Sequence, residues 1–209
     1  MLTLYDYLPS QNGWKARVLL GLLGIPYETQ PVSIFEGEGR TEAFLDINPV
    51  GAVPALRLDD GRAIAESNAI LVYLADGTKY LPDDRYLSAK VMQWLFFEQY
   101  HVEPTIGSLR FWTLTGRLER NQATVAGKRD AIVRALSALE RSLKTTPFLV
   151  GTEFTIADLA VYAYSHLLGD CGFASADYPA FDAWLGRVKD VIGSGYPVHP
   201  YRIDPHSGG

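Results

Sequence analysis

Cysteine is almost missing from this sequence: Cys171 is the only one in 209 residues. An intramolecular disulfide, a CxxC redox pair and a cysteine-rich metal site are thereby excluded. Histidine is scarce too. His101, His166, His199 and His206 have no spacing that places two ligands on one helix face, so no metal is expected. No apolar run comes near the ~20 residues needed to span a bilayer. The first residues, Met1 to Tyr7, alternate like a strand and lack the basic-then-apolar pattern of a secretory signal. A cytoplasmic location with no membrane partner is the expectation. Positive charge is in deficit, with a net charge of −5, which argues against a nucleic-acid partner.

What is present is an ordinary globular composition, 47% hydrophobic and 21% charged, enough for a sizeable core. The charge is unevenly spread. Residues 1–77 hold five basic and ten acidic side chains, and the remainder fourteen of each. Leu2 to Tyr5 read as a strand, a Pro9–Gly13 turn cluster follows, and Trp14 to Leu23 form an apolar helix stopped by Gly24 and Pro26. Tyr27 to Val32 alternate again, which implies a parallel strand pair with a right-handed crossover. A short helix over 41–47 precedes a hairpin, 55–58 and 62–65, turning at Asp59-Asp60-Gly61. A further helix carries Ile70, Leu71 and Leu74. The order β-α-β-α-β-β-α thus fills residues 1–77, and 78–84, with Pro82 and two aspartates, reads as a linker.

From residue 85 to 209 the pattern is all-helical apart from an irregular tail. Residues 86–114 form a long aromatic-rich helix in which Pro104 predicts a kink or break. Further helices are expected over 123–143, 156–168 and 180–191. Thr155 and Asp158 stand at capping-box spacing, with Phe154 and Leu159 placed as a hydrophobic staple. Asp158 is therefore read as a structural carboxylate rather than a catalytic one.

Three motifs carry chemistry. Ser10-Gln11-Asn12-Gly13-Trp14-Lys15 joins a strand to a helix, gathering a hydroxyl, an amide and backbone N–H groups at a positive dipole end that favours an anion. A free thiol with a pKa of ~8.5 is only about 3% ionised at pH 7. Lowering that value by two units needs ~2.7 kcal/mol of preferential anion stabilisation. Taken alone, simple helix capping by Ser10 and Asn12 accounts for the loop as well. The second motif is Asn48-Pro49-Val50-Gly51-Ala52-Val53-Pro54, where Pro54 suits a strand start because it donates no ladder bond. The third, Glu66-Ser67-Asn68-Ala69-Ile70, offers Ser67 as a helix cap and amides for a carboxylate, with Glu66 opposite for an amine. An α-amino acid end would match both. Lys15 and Arg40 draw interest as cations in an acidic half.

These motifs, in this order and with Arg17 seven residues after Ser10, resemble the glutathione transferase superfamily. Gly151-Thr152-Glu153-Phe154-Thr155-Ile156-Ala157-Asp158 resembles that superfamily's helix-capping signature, so the resemblance covers nearly the whole chain. It implies a thioredoxin-like N-terminal domain followed by an all-helical bundle, glutathione as co-substrate, and a homodimer. It also implies that Pro54 is cis, that the backbone of Val53 pairs with the cysteinyl part of glutathione, and that Glu66 and Ser67 hold the γ-glutamyl end. Lys15 is placed with the glutathione-binding residues, and Arg40 as a partner for the glycyl carboxylate. Tyr5 and Tyr7 lack the spacing to Arg17 found in tyrosine-type members. Ser10 fits serine-type members, while Ser10-x-Asn12-Gly13-x-Lys15 also resembles bacterial and fungal members that often reduce disulfides. Trp14 stands where those relatives usually carry His or Tyr.

The expected function is activation of the glutathione thiolate by Ser10 and Asn12, for attack on a small apolar electrophile. Leu8, Tyr100, Phe111 and Trp112 are candidates for an electrophile pocket between the domains, against core packing as the plainer account of each. A glutathione-dependent disulfide reductase or peroxidase, and a non-catalytic ligand-binding protein, are the alternatives. Whether Ser10 or Asn12 makes the main sulfur contact stays open.

Overall fold

Apolar residues alternating from Leu2 build the strand at the centre of the first unit. In the computed structural model, which describes residues 1–208, this strand is β1 (Leu2–Asp6), and α1 (Gln11–Leu22) returns the chain to β2 (Tyr27–Pro31). β2 lies parallel to β1, with Leu2 opposite Tyr27. The short α2 (Glu42–Leu45) is capped by the Thr41 hydroxyl. β3 (Ala55–Arg57) and β4 (Ala63–Ala65) form the hairpin, and α3 (Ser67–Ala75) closes the segment. The sheet order is β2-β1-β3-β4, with β3 antiparallel to both β1 and β4.

That register decides where the motifs meet. Tyr5 faces Ala55 and Ala55 faces Ala65. The exit of β1, the entry of β3 and the exit of β4 therefore share one sheet edge, and all three motifs lie along it. Leu4, Leu19, Leu20, Leu56, Ile70 and Leu71 are fully buried beneath, between the sheet and the helices.

The described residues divide into two compact units, 1–76 with 195–208, and 77–194. The expectation assigned the irregular tail to the helical domain, but 195–208 groups with the first unit. The Trp14 indole donates to the Tyr196 carbonyl (3.0 Å), Ser33 Oγ donates to Asp204 (3.0 Å), and Tyr7 stacks on Tyr201. A Cβ on Gly21 would fall 2.1 Å from the Tyr196 hydroxyl, so glycine there lets the tail lie against α1.

The second unit contains α4 (Arg85–Phe97), a π-helical segment (Glu98–Gly107), α5 (Ser108–Leu114), α6 (Gln122–Leu143), α7 (Ile156–Ser165) and α8 (Pro179–Ile192). Pro104 does not break the long helix. It sits in a ten-residue stretch of wider winding, where i→i+5 bonding tolerates a residue without an N–H. Carbonyls along this stretch find side-chain donors instead: Thr105 Oγ1 reaches His101 O, and Ser108 Oγ and Lys128 Nζ both reach Pro104 O (2.6 Å each). All ten residues of α7 are buried, which makes it the centre of this unit. Among the described residues, no helix is long and apolar enough to cross a membrane.

Candidate functional site

Ser10 is the N-cap of α1, accepting from the Gly13 amide at 3.4 Å. The Ser10 hydroxyl proton has no acceptor among the described residues, so the cap leaves a donor unspent. Asn12 follows in the first turn. Its Oδ1 accepts from Lys15 Nζ (3.0 Å) and from Ser67 Oγ (3.3 Å), which leaves Nδ2 without an acceptor among the described residues. Loop and helix are tied together from below. The carboxylate of Asp6, 1% exposed at the end of β1, pairs with Arg17, and Arg17 Nη2 also reaches the Leu8 carbonyl (2.9 Å). Gly13 is required by this arrangement, because a Cβ there would collide with Asp6 Oδ1. Burial pushes the Asp6 carboxyl up, against the opposing pull of Arg17.

The second motif is a folded loop shaped by Asn48. Its Oδ1 accepts from Val50 N (3.1 Å) and its Nδ2 donates to Ala52 O (2.7 Å). Gly51 adopts φ 69°, and a Cβ on it would lie 2.4 Å from Gly39 O. This close approach joins the loop to the turn carrying Arg40, whose Nη1 donates to Val50 O (2.9 Å). The Val53–Pro54 peptide is cis. The N–H and C=O of Val53 make no hydrogen bond among the described residues, leaving an open backbone pair at the entry of β3.

Glu66 holds φ 67°, the one non-glycine residue with positive φ among those described. Such a backbone costs of order 1–3 kcal/mol and is typical of functional sites. Ser67, expected as the helix cap, is instead the first residue of α3, and Glu66 occupies the cap position. The Ser67 hydroxyl turns inward to Asn12 and Lys15. What α3 offers outward is its N-terminal backbone, where an anion is favoured.

Lys15 also differs from expectation. It is 0% exposed, and its ammonium donates to Asn12, Ser67 (3.3 Å) and Asn68 (3.4 Å). It lies beneath the site rather than facing it. Tyr7 is engaged elsewhere, with its ring stacked on Tyr201. Of the electrophile candidates, Leu8 is exposed on the first unit. On the second unit, Tyr100 is 78% exposed, while Phe111 and Trp112 are half-buried under Arg117 and Lys128 respectively. Reading the sequence missed Asp6 as the anchor of the loop. The available signal was a carboxylate ending an apolar strand, with an arginine on the facing helix.

The fold is a thioredoxin-like unit followed by an all-helical one, with two helix N-termini and the open backbone of Val53 along one edge of the first. Residues 9–76 match the family described as glutathione S-transferase, N-terminal domain, and residues 91–189 match glutathione S-transferase, C-terminal domain. The chain belongs to the glutathione S-transferase family. A crystal structure of glutathione S-transferase from Pseudomonas fluorescens [Pf-5] superposes with a TM-score of 0.87 at 42% identity, covering 95% of this chain and 96% of that one. The glutathione transferase URE2P6 from Phanerochaete chrysosporium, in complex with oxidized glutathione, gives a TM-score of 0.82 at 27% identity, over 91% and 92% of the two chains. Elongation factor 1-gamma from Artemia salina is 33% identical over 91% of this chain, which spans 46% of that protein's length.

Proposed function

We propose that the chain is a glutathione transferase that holds the glutathione sulfur as a thiolate for attack on a small apolar electrophile. The observation that carries this reading is a pair of unspent donors, the Ser10 hydroxyl and the Asn12 amide, at the N-terminus of α1. Hydrogen bonds to a charged partner contribute about 1.5–3 kcal/mol each. Two of them with the helix dipole reach the ~2.7 kcal/mol that a two-unit fall in thiol pKa requires. Ser10 acts as an anion stabiliser here, not as a nucleophile, since no histidine is among its hydrogen-bond partners. The open backbone of Val53 before cis Pro54 suits the cysteinyl peptide. The first amides of α3 suit the γ-glutamyl carboxylate, Glu66 suits its amine, and Arg40 suits the glycyl carboxylate. Leu8 offers apolar surface beside the sulfur, and Tyr100, Phe111 and Trp112 are the corresponding candidates on the helical unit. A cytoplasmic homodimer is the assembly we propose; exposed Phe96 supplies apolar surface for it.

Two other readings have support. The URE2P6 complex with oxidized glutathione favours attack by the same thiolate on a disulfide, with a second glutathione resolving the mixed disulfide. The relative named elongation factor 1-gamma favours binding without catalysis. Parallel assays with an aryl halide and with hydroxyethyl disulfide separate these. Ser10→Ala and Asn12→Ala are each expected to lower kcat/KM by about tenfold or more. Full turnover in both variants would sink the site assignment.

A further inference from the structure

Resting on that reading, we infer that Lys15 is a positioning residue for thiol activation, one that fixes which end of the Asn12 amide faces the sulfur. The two ends of an asparagine amide have nearly the same shape but opposite chemistry. The NH2 end stabilises a thiolate, and the carbonyl end repels it. An isolated Asn12 could turn either way. Here Lys15, one turn further along α1, settles the choice, because an ammonium donates three hydrogen bonds and accepts none.

Lys15 Nζ lies 3.0 Å from Asn12 Oδ1, 3.3 Å from Ser67 Oγ and 3.4 Å from Asn68 Oδ1. Ser67 reinforces it. With one lone pair directed at Lys15, its hydroxyl proton goes to Asn12 Oδ1 at 3.3 Å. Two donors therefore converge on Oδ1; a flipped amide would set its NH2 against the ammonium, which cannot accept, whereas the Ser67 hydroxyl could turn to accept it. The outward Nδ2 is thus a consequence of the charge beneath it. Because Lys15 is 0% exposed, it acts on the sulfur through Asn12 rather than by touch. This gives the α1–α3 packing a chemical role: the helix that offers its amides to the γ-glutamyl end also supplies Ser67 to the sulfur end.

A sharp consequence concerns Asn12→Asp. A carboxylate would still pair with Lys15 yet present only acceptors to the sulfur, so it should depress thiolate formation more than Asn12→Ala does.

The test is an ultraviolet titration of bound glutathione in the wild-type protein, Lys15→Met, Asn12→Ala and the double variant. Lys15→Met is expected to raise the pKa of the bound thiol by about one unit, which cuts the thiolate fraction at pH 7 by about threefold, while the Kd for glutathione stays within about threefold. In the Asn12→Ala background, Lys15→Met should add nothing. An equal effect of Lys15→Met in both backgrounds, or none in either, overturns the inference. If Asn12→Ala itself leaves the thiol pKa unchanged, the underlying reading of the site fails. If Asn12→Ala is effective but Lys15→Met is silent, only the role of Lys15 fails. Should Lys15→Met not fold, NMR on the wild-type protein decides the matter. Nuclear Overhauser contacts from the Asn12 NH2 protons to the glutathione cysteinyl Cβ protons support the orientation, and contacts to the Lys15 Cε protons overturn it.

Discussion

Two titratable side chains of the helical unit are held far from their solution behaviour. His166 stacks on Tyr162 at 4.5 Å and faces the Tyr162 carbonyl through Nδ1 (2.8 Å), so the neutral ring donates there. Burial, with the nearby Arg110 charge, lowers its pKa from 6.5 to about 4, against the pull of Asp170. The unfolded chain then binds the extra proton first, so the His166 contribution is present above pH 6.5 and is lost as pH falls through about 4. It amounts to at most about 3 kcal/mol. Relative to His166→Gln, wild-type stability by urea titration is expected to decline between pH 6.5 and 4; a constant difference would contradict this. Cys171 is the second case. Its thiol is pushed up to about 11 by burial, so it is a poor nucleophile, and the thiol chemistry proposed here belongs to the co-substrate. The cap position of Ser10 was legible in the sequence because it sits in a short strand-to-helix motif. The contacts of Asp6 and Lys15 were not legible, because their partners lie on other elements: Arg17 across the loop, and Ser67 on a helix 52 residues away.

Among elements, α7 shows how much one helix start can carry. Thr155 and Asp158 form the expected capping box, but the carboxylate does more than cap. It also accepts from Leu149 N (2.8 Å) and the Trp184 indole (2.9 Å), all in full burial. Asp158→Ala strands these donors, so the loss should exceed the ~1 kcal/mol of a simple cap and reach about 3 kcal/mol. Thermal melting should show a fall of roughly 10 °C with unchanged glutathione affinity; equal stability would contradict the assignment. The tail is the other element with a testable role. Gly21→Ala should displace Tyr196 from α1, and tryptic cleavage after Arg202 should then speed up by roughly fivefold or more. An unchanged cleavage rate would mean the tail is held elsewhere. Strands and helices with clean periodicity were readable to within a few residues. The π-helical stretch around Pro104 was not, since its winding depends on Thr105, Ser108 and Lys128 covering carbonyls. The return of the tail was not readable either, because no pattern in 195–208 names its partner.

For the whole molecule, membership of the glutathione S-transferase family rests on matches to both of its domains and on close structural relatives. The family leaves the reaction open, since relatives are named both as transferases and as an elongation factor. The transferase reading proposed for this chain rests on one sheet edge, where Ser10 and Asn12 lie beside a buried lysine. The most direct test is the ultraviolet difference spectrum of glutathione bound at neutral pH. Thiolate absorbance that is reduced in both Ser10→Ala and Asn12→Ala is the predicted result; tight binding with no thiolate absorbance would contradict thiol activation and leave a binding protein.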